Sequence, residues 1–146
     1  MTQRTWEQAQ VGEALEPVSF PLSVYRLVVA AGANRDFNSI HHNSEYAKAS
    51  GAPEMYANTL FLQGMWERTV RGYMGLQGTL KRVAGFKMNS FNCVGETVVV
   101  KGEVTRKWRE DRAGLVEIKM WSENGERISV GPGLVTITLP LASVAA

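Results

Sequence analysis

Cysteine is almost missing from this 146-residue chain. Cys93 stands alone, so no internal disulfide can form, and no CxxC or Cys/His array offers a structural zinc site. A reducing compartment, the cytoplasm, is the expected home. A dominant charge is missing too. Sixteen Lys and Arg face fourteen Asp and Glu, a formal net charge of +2, which is too balanced to point to nucleic acid as a partner. No apolar run follows Arg4, and Glu7, Glu13 and Glu16 come early, unlike a secretory leader. The stretch 128–146 carries no charge and approaches the length that spans a bilayer. Gly131-Pro132-Gly133 and Pro140 interrupt it, however, and its threonines alternate with apolar residues, so it reads as an interrupted strand followed by a short tail. The expectation is a soluble protein with no membrane partner.

What remains is ordinary globular material, 45% hydrophobic and 21% charged. No linker, low-complexity segment or repeat divides it, and one domain over 1–146 is expected. Its two halves differ. Up to about residue 75 the pattern favours helix, and from 79 to 139 it favours strand.

Four period-two runs occupy the second half. Leu80, Ala84, Phe86 and Met88 share one face of the first. Val98, Val100, Val104 and Trp108 share a face of the second, opposite Lys101, Glu103 and Lys107. Val116, Ile118 and Met120 oppose Glu117 and Lys119 in the third, and Val135, Ile137 and Leu139 oppose Thr136 and Thr138 in the fourth. Short breaks at Val94-Gly95-Glu96, at 110–114 and at Glu123-Asn124-Gly125 favour antiparallel neighbours. A fifth strand is expected near Val18 to Leu22, before a short helix from Ser23 to Ala31. A longer helix spans Thr59 to Met74 with Asn58 as N-cap. Leu60, Phe61, Leu62, Met65, Trp66, Val70, Tyr73 and Met74 occupy most of its circumference, which predicts burial on most sides. The fold class is α+β: a long central helix wrapped by a curved antiparallel sheet.

The polar residues with chemical potential crowd into Arg35-Asp36-Phe37-Asn38-Ser39-Ile40-His41-His42-Asn43, which holds both histidines of the chain. A carboxylate and an imidazole converging on one water form a general acid/base pair. The same residue types also serve as surface caps and hydrogen bonds, and Asp36, His41 and His42 could be metal ligands, although adjacent histidines rarely point to one ion. Cys93 reads as a packing residue, and Phe61, Met65 and Trp66 read as core rather than a ligand cage.

Asp36-x-Asn38-x-Ile40-His41, five residues and then Ala47 resembles the signature of the MaoC-like dehydratases, the (R)-specific enoyl-CoA hydratases of the hotdog fold. Ala52-Pro53, the Ala57-Asn58-Thr59-Leu60 approach to the long helix and the four following strands occur in family order, so the likeness runs from Thr5 to Pro140. The resemblance implies reversible hydration of a trans-2-enoyl-CoA to a (3R)-hydroxyacyl-CoA. Asp36 and His41 match the catalytic pair, and Asn38 matches the motif asparagine, which holds the loop or the pair. The main-chain oxyanion donor falls on the N–H of Thr59. Asn58, Thr59 and His42 are assigned to substrate binding, His42 at the rim. No metal and no redox cofactor is implied; coenzyme A enters as part of the substrate.

Three positions depart from the family pattern. Arg35 replaces a small residue, commonly glycine; Ser39 stands where proline is usual; and Asn58-Thr59 replaces His-Gly. The Arg-Asp-Phe…His-His pattern resembles members that pair with a second hotdog chain and take bulky acyl groups, steroid side chains included. A homodimer or a heteromer with a second hotdog chain is therefore expected, with sites at the edge-to-edge junction. A non-catalytic or partner-completing subunit is the alternative, and an acyl-CoA thioesterase is a third possibility on the same fold. From Lys81 to Arg112 there are eight basic and four acidic side chains. That excess could meet the phosphates of coenzyme A or could be a solvated strand face.

Overall fold

Side-chain caps punctuate the helical half. Ser23 accepts the Arg26 N–H at 3.2 Å and opens α1 (Val24–Ala33). Asn43 accepts the Tyr46 N–H at 2.9 Å and opens α2 (Ser44–Ala49). Asn58 accepts the Phe61 N–H at 2.8 Å and opens α3 (Thr59–Met74), which stops at Gly75 with φ +74°. A single 3-10 turn, Ser39–His41, lies between α1 and α2. The structure, a computed structural model, describes residues 3–111 and 113–142.

The strands are β1 (Val18–Pro21), β2 (Thr79–Ala84), β3 (Thr97–Glu110), β4 (Ala113–Asn124) and β5 (Arg127–Leu139). They form one antiparallel sheet in the order β1-β3-β4-β5-β2, curled into a half-barrel. Bulges account for much of that bend, because each extra residue kinks its strand and raises the local twist. They interrupt the register at Leu80/Arg82, at Val104/Arg106 and along Met120 to Glu123. This is the α+β architecture implied by the hydrophobic pattern, the long helix held by a curved sheet. Among the described residues no helix is long and apolar enough to cross a membrane.

Strict alternation fails at the bulges, and the failures follow the physics of a period of two. Past the extra residue Thr105 the phase of β3 inverts, so Lys107 lies opposite the buried Val116 while Trp108 leaves the face of Val98, Val100 and Val104. Trp108 instead lies beneath the Arg106 guanidinium, 4.6 Å from its ring centre. The Lys107 ammonium, expected on the polar face, caps the end of the core. It donates to the carbonyls of Trp6 (3.0 Å) and Ala9 (2.8 Å) and sits 4.2 Å over the Trp6 ring. In β2 the extra residue is Lys81, so Leu80 and Val83 both pack on the core, while the strand ends at Ala84. Met88 keeps only an isolated bridge to Val130. The interruption at Gly131-Pro132-Gly133 does not break β5, which runs through it with Gly131 and Pro132 opposite Trp121. A side chain at Gly133 would place its Cβ 2.5 Å from the Ala84 carbonyl oxygen, so the close approach of β2 requires glycine there. The short tail expected after the last strand lies largely outside the described residues, as does Arg112.

The long helix is more one-sided than its composition suggests. Leu62, Met65, Trp66, Thr69, Val70 and Met74 are buried, a single stripe at helical spacing. Leu60 is 55% exposed, and Phe61 and Tyr73 are half-buried, because the sheet of one chain embraces only one face of the cylinder. At the centre of the stripe, Trp66 is 1% exposed, meets Phe86 edge to face at 4.9 Å and donates its indole N–H to the Ser122 hydroxyl at 2.8 Å. Ser122→Ala should therefore destabilise the fold by about 1–3 kcal/mol, the cost of a buried donor left without an acceptor. Urea unfolding followed by Trp fluorescence measures this as a lowered midpoint at unchanged slope.

Candidate active site

The motif loop is shaped by its own short-range bonds. The N–H of Asp36 returns to the Ala31 carbonyl at 2.9 Å, and that of Arg35 to Gly32 at 3.1 Å, which winds the end of α1 into a tight exit. Arg35 has φ +55°, the left-handed region in which glycine is at ease and other residues pay a conformational penalty. The small residue that the resemblance would place here thus has a backbone reason, and arginine meets the same turn under strain. Asn38 accepts the Ile40 N–H at 3.2 Å and caps the Ser39–His41 turn, so its side chain holds the loop.

That turn delivers His41 into the protein, where it is 6% exposed. Its Nδ1 lies 2.8 Å from the Tyr56 carbonyl oxygen. A carbonyl only accepts, so Nδ1 carries the proton, and Nε2 faces Asp36 Oδ2 at 3.1 Å. At this distance a proton on either group completes a hydrogen bond between them. Asp36 remains 37% exposed at its side chain, which leaves the pair open to a water and a substrate on its outer side. The Tyr56 ring meets His41 edge-on at 5.1 Å and Phe91 at 4.8 Å, an aromatic wall beside the pair. Burial, and then the Asp36 charge, push the Tyr56 phenol up from its ordinary value, which keeps it neutral.

The structure brings the α3 N-terminus to the same region through Tyr56, whose carbonyl holds His41 and which precedes Asn58 and Thr59 by two and three residues. Asn58 is 3% exposed; besides capping α3 it accepts the Asn34 side-chain N–H at 3.1 Å, while its own Nδ2 finds no partner among the described residues. Thr59 is exposed, its hydroxyl 3.7 Å from Met88 Sδ, and its backbone N–H has no acceptor among the described residues. His42 does not join the pair. It is exposed and its Nε2 turns to the Phe37 carbonyl at 3.4 Å.

Two apolar clefts flank these groups. One of about 270 Å³ is lined by Tyr56, Ala57, Leu62, Met88, Ser90 and Phe91. The other, of about 410 Å³, is lined by Phe20, Tyr25, Val29, Ala33, Asn34 and Phe61, and sits beneath an α1 face on which Val24, Tyr25, Val28 and Val29 remain exposed. The basic excess on β3 is partly consumed within the chain: Lys107 is bonded to main-chain carbonyls and Arg109 pairs with Glu7 at 3.2 Å. Burial pushes the Cys93 thiol up, in keeping with a packing role. Tyr56 and Asn34 carry no motif signal. Their parts depend on a main-chain carbonyl and a long-range amide contact, neither of which has a sequence spacing.

Glu54 ties this region to α2. The Ser44 hydroxyl, the Met55 N–H (2.9 Å) and the Lys48 ammonium (3.0 Å) hold its carboxyl down to about 2. A depressed folded value adds stability that is present above the ordinary carboxylate range and lost as pH falls towards 2. The chain should therefore be more stable than Glu54→Gln above about pH 5, with the gap closing between about pH 5 and pH 2, as thermal melts across that window will show.

No family model matches the chain. The 3-oxo-4,17-pregnadiene-20-carboxyl-CoA hydratase beta subunit of Mycobacterium tuberculosis is 30% identical over 98 residues, which cover 67% of this chain and 72% of that protein. Among solved structures, a chain of the ChsH1-ChsH2 complex from Mycobacterium tuberculosis superposes with a TM-score of 0.81 at 26% identity, covering 90% of this chain and 99% of its own. The unliganded R-hydratase PhaJ1 from Pseudomonas aeruginosa gives a TM-score of 0.84 at 16% identity over 97% of this chain and 92% of its own, a likeness of fold.

Proposed function

The chain belongs to the MaoC-like hydratases of the hotdog fold, and from that premise we propose that it hydrates the double bond of a trans-2-enoyl-CoA to give a (3R)-hydroxyacyl-CoA. The observation that carries this is the Asp36–His41 contact at 3.1 Å, with the imidazole fixed from behind by the Tyr56 carbonyl. With Nδ1–H committed to that carbonyl, Nε2 and the Asp36 carboxyl are the two groups that face a water. Acting as a unit, they take a proton from it as its oxygen bonds to Cβ, and return a proton to Cα as the π bond is lost. Nothing is oxidised or reduced, and the pair ends in its starting protonation state. The Thr59 N–H, free at the positive end of α3, donates to the thioester oxygen as enolate charge develops there. Coenzyme A is part of the substrate.

The relative named above is a beta subunit, and the ChsH1-ChsH2 structure is of a complex. They support a partner hotdog chain for this one. The exposed α1 face and the free edge of β2 are surfaces that a second subunit would cover. In such an assembly this chain contributes the acid/base pair, and its partner completes the acyl or coenzyme pocket. The name of the relative also supports bulky, polycyclic acyl groups in a substrate panel.

Asp36→Asn and His41→Ala should each lower kcat by about 10²–10⁴, with the double variant little worse than either, measured by loss of enoyl absorbance with and without candidate partner chains. Near-wild-type turnover of either single variant removes the pair from the mechanism. Thr59→Ala keeps the backbone donor, whereas Thr59→Pro deletes it while fitting the first helical turn. The proline variant should lose about 10²–10³ in kcat relative to alanine. Equal rates in two folded variants would put the donor elsewhere.

A further inference from the structure

The two halves of the proposed site come from segments with no mutual main-chain register. The exit of α1 returns its N–H groups to Ala30, Ala31 and Gly32, and the α3 N-terminus is reached through a separate loop. Side-chain and loop contacts therefore set the gap between them. On the histidine end the tether is Tyr56, whose N–H donates to the Ile40 carbonyl at 3.3 Å and whose carbonyl accepts from His41. On the aspartate end it is Asn34, the C-cap of α1 and two residues before Asp36, which donates its amide N–H to Asn58 Oδ1 at 3.1 Å. Asn58 is adjacent to Thr59.

We infer that the Asn34–Asn58 contact is a neutral clamp that sets the Asp36–His41 pair against the α3 N-terminus, and that Asn34 is a positioning residue for the reaction. This rests on the hydratase reading for its catalytic consequence. Asn58 Oδ1 serves two donors at once, the Phe61 N–H and Asn34. An aspartate at 58 would accept both bonds, but it would bury a carboxylate at a position 3% exposed, with its second oxygen in the place of the unpartnered Nδ2. Asparagine caps the helix as well as aspartate would and leaves a neutral donor, rather than a charge, without a partner there. A carboxylate at the N-cap would offset the positive helix end beside Thr59, where the thioester oxygen gains negative charge. An amide holds both bonds and leaves that potential intact. The donor side is equally constrained, since Asn34→Asp retains shape but cannot donate to Asn58 Oδ1.

The test uses the full chain, with its partner if one is needed for activity, and the variants Asn34→Ala, Asn34→Asp and Asn58→Asp. In ¹⁵N spectra of each folded protein, the Thr59 amide and the His41 imidazole are followed together with the Val116 amide as a remote control. Both Asn34 variants should move the Thr59 and His41 signals and leave Val116 in place. Their enoyl-CoA hydration should lose about 10–100-fold in kcat at little change in KM, the scale of a misplacement near 1 Å. Asn58→Asp, read as a folded protein, should melt below the wild-type temperature and lose about 3–30-fold in kcat, the worth of a charge at a helix end. Asn34 variants that only lower the melting temperature, with both signals and kcat at wild-type values, overturn the clamp and leave the hydratase reading intact. A wild-type chain that hydrates no enoyl-CoA with any partner overturns the hydratase reading, while the coupled shifts of Thr59 and His41 still decide the clamp.

Discussion

The indole of Trp66 is the contact on which the rest of the architecture turns. Its ring lies under the bulged middle of the sheet, edge-on to Phe86, and its N–H is spent on Ser122 in the strand across the core. A hydrogen bond of that kind fixes what apolar packing alone leaves loose, the rotation of α3 about its axis and its slide along the sheet. The glycine at 131 belongs to the same fit, since a Cβ there would lie 3.0 Å from the Trp66 ring. Once α3 is fixed, so is the direction in which its N-terminus points.

From that fixed point the site is assembled by groups that are mostly not reactive themselves. A main-chain carbonyl, that of Tyr56, selects the proton-bearing nitrogen of His41 and so presents the other nitrogen to Asp36. An asparagine caps the turn that carries the histidine, and another caps the helix that would face the thioester. The chemistry needs few atoms; their placement needs caps, a strained exit at Arg35 and a buried ring. The strain at Arg35 is affordable because the loop on either side is pinned by its own backbone bonds.

Apolar surface left uncovered by one chain marks where the fold expects company. Val24, Tyr25, Val28 and Val29 on α1 and Leu60 on α3 are exposed together with Phe37 and Tyr46 near the motif loop. Apolar side chains left exposed in this number are what an apolar ligand or a second subunit would cover. Of the cations of β3, by contrast, Lys107 is spent on main-chain carbonyls while Lys101 and Arg109 pair with Glu123 and Glu7, so the local charge count overstates what is free to meet a phosphate.

Sequence alone determined the antiparallel strand half, the long capped helix and the stretch that holds Asp36 and His41. These are local matters, set by periodicities of two and 3.6, by cap residues and by a motif of fixed spacing. It did not determine that Trp108 turns outward and Lys107 inward, because one extra residue at a bulge inverts a strand's phase without changing its composition. Nor did it show that α3 buries only one stripe, since coverage depends on how far the sheet curls and on what a partner supplies. The parts played by Tyr56 and Asn34 were likewise decided by tertiary structure. A carbonyl has no side-chain signature, and a hydrogen bond between side-chain amides 24 residues apart exists only when two helix ends are brought together in space.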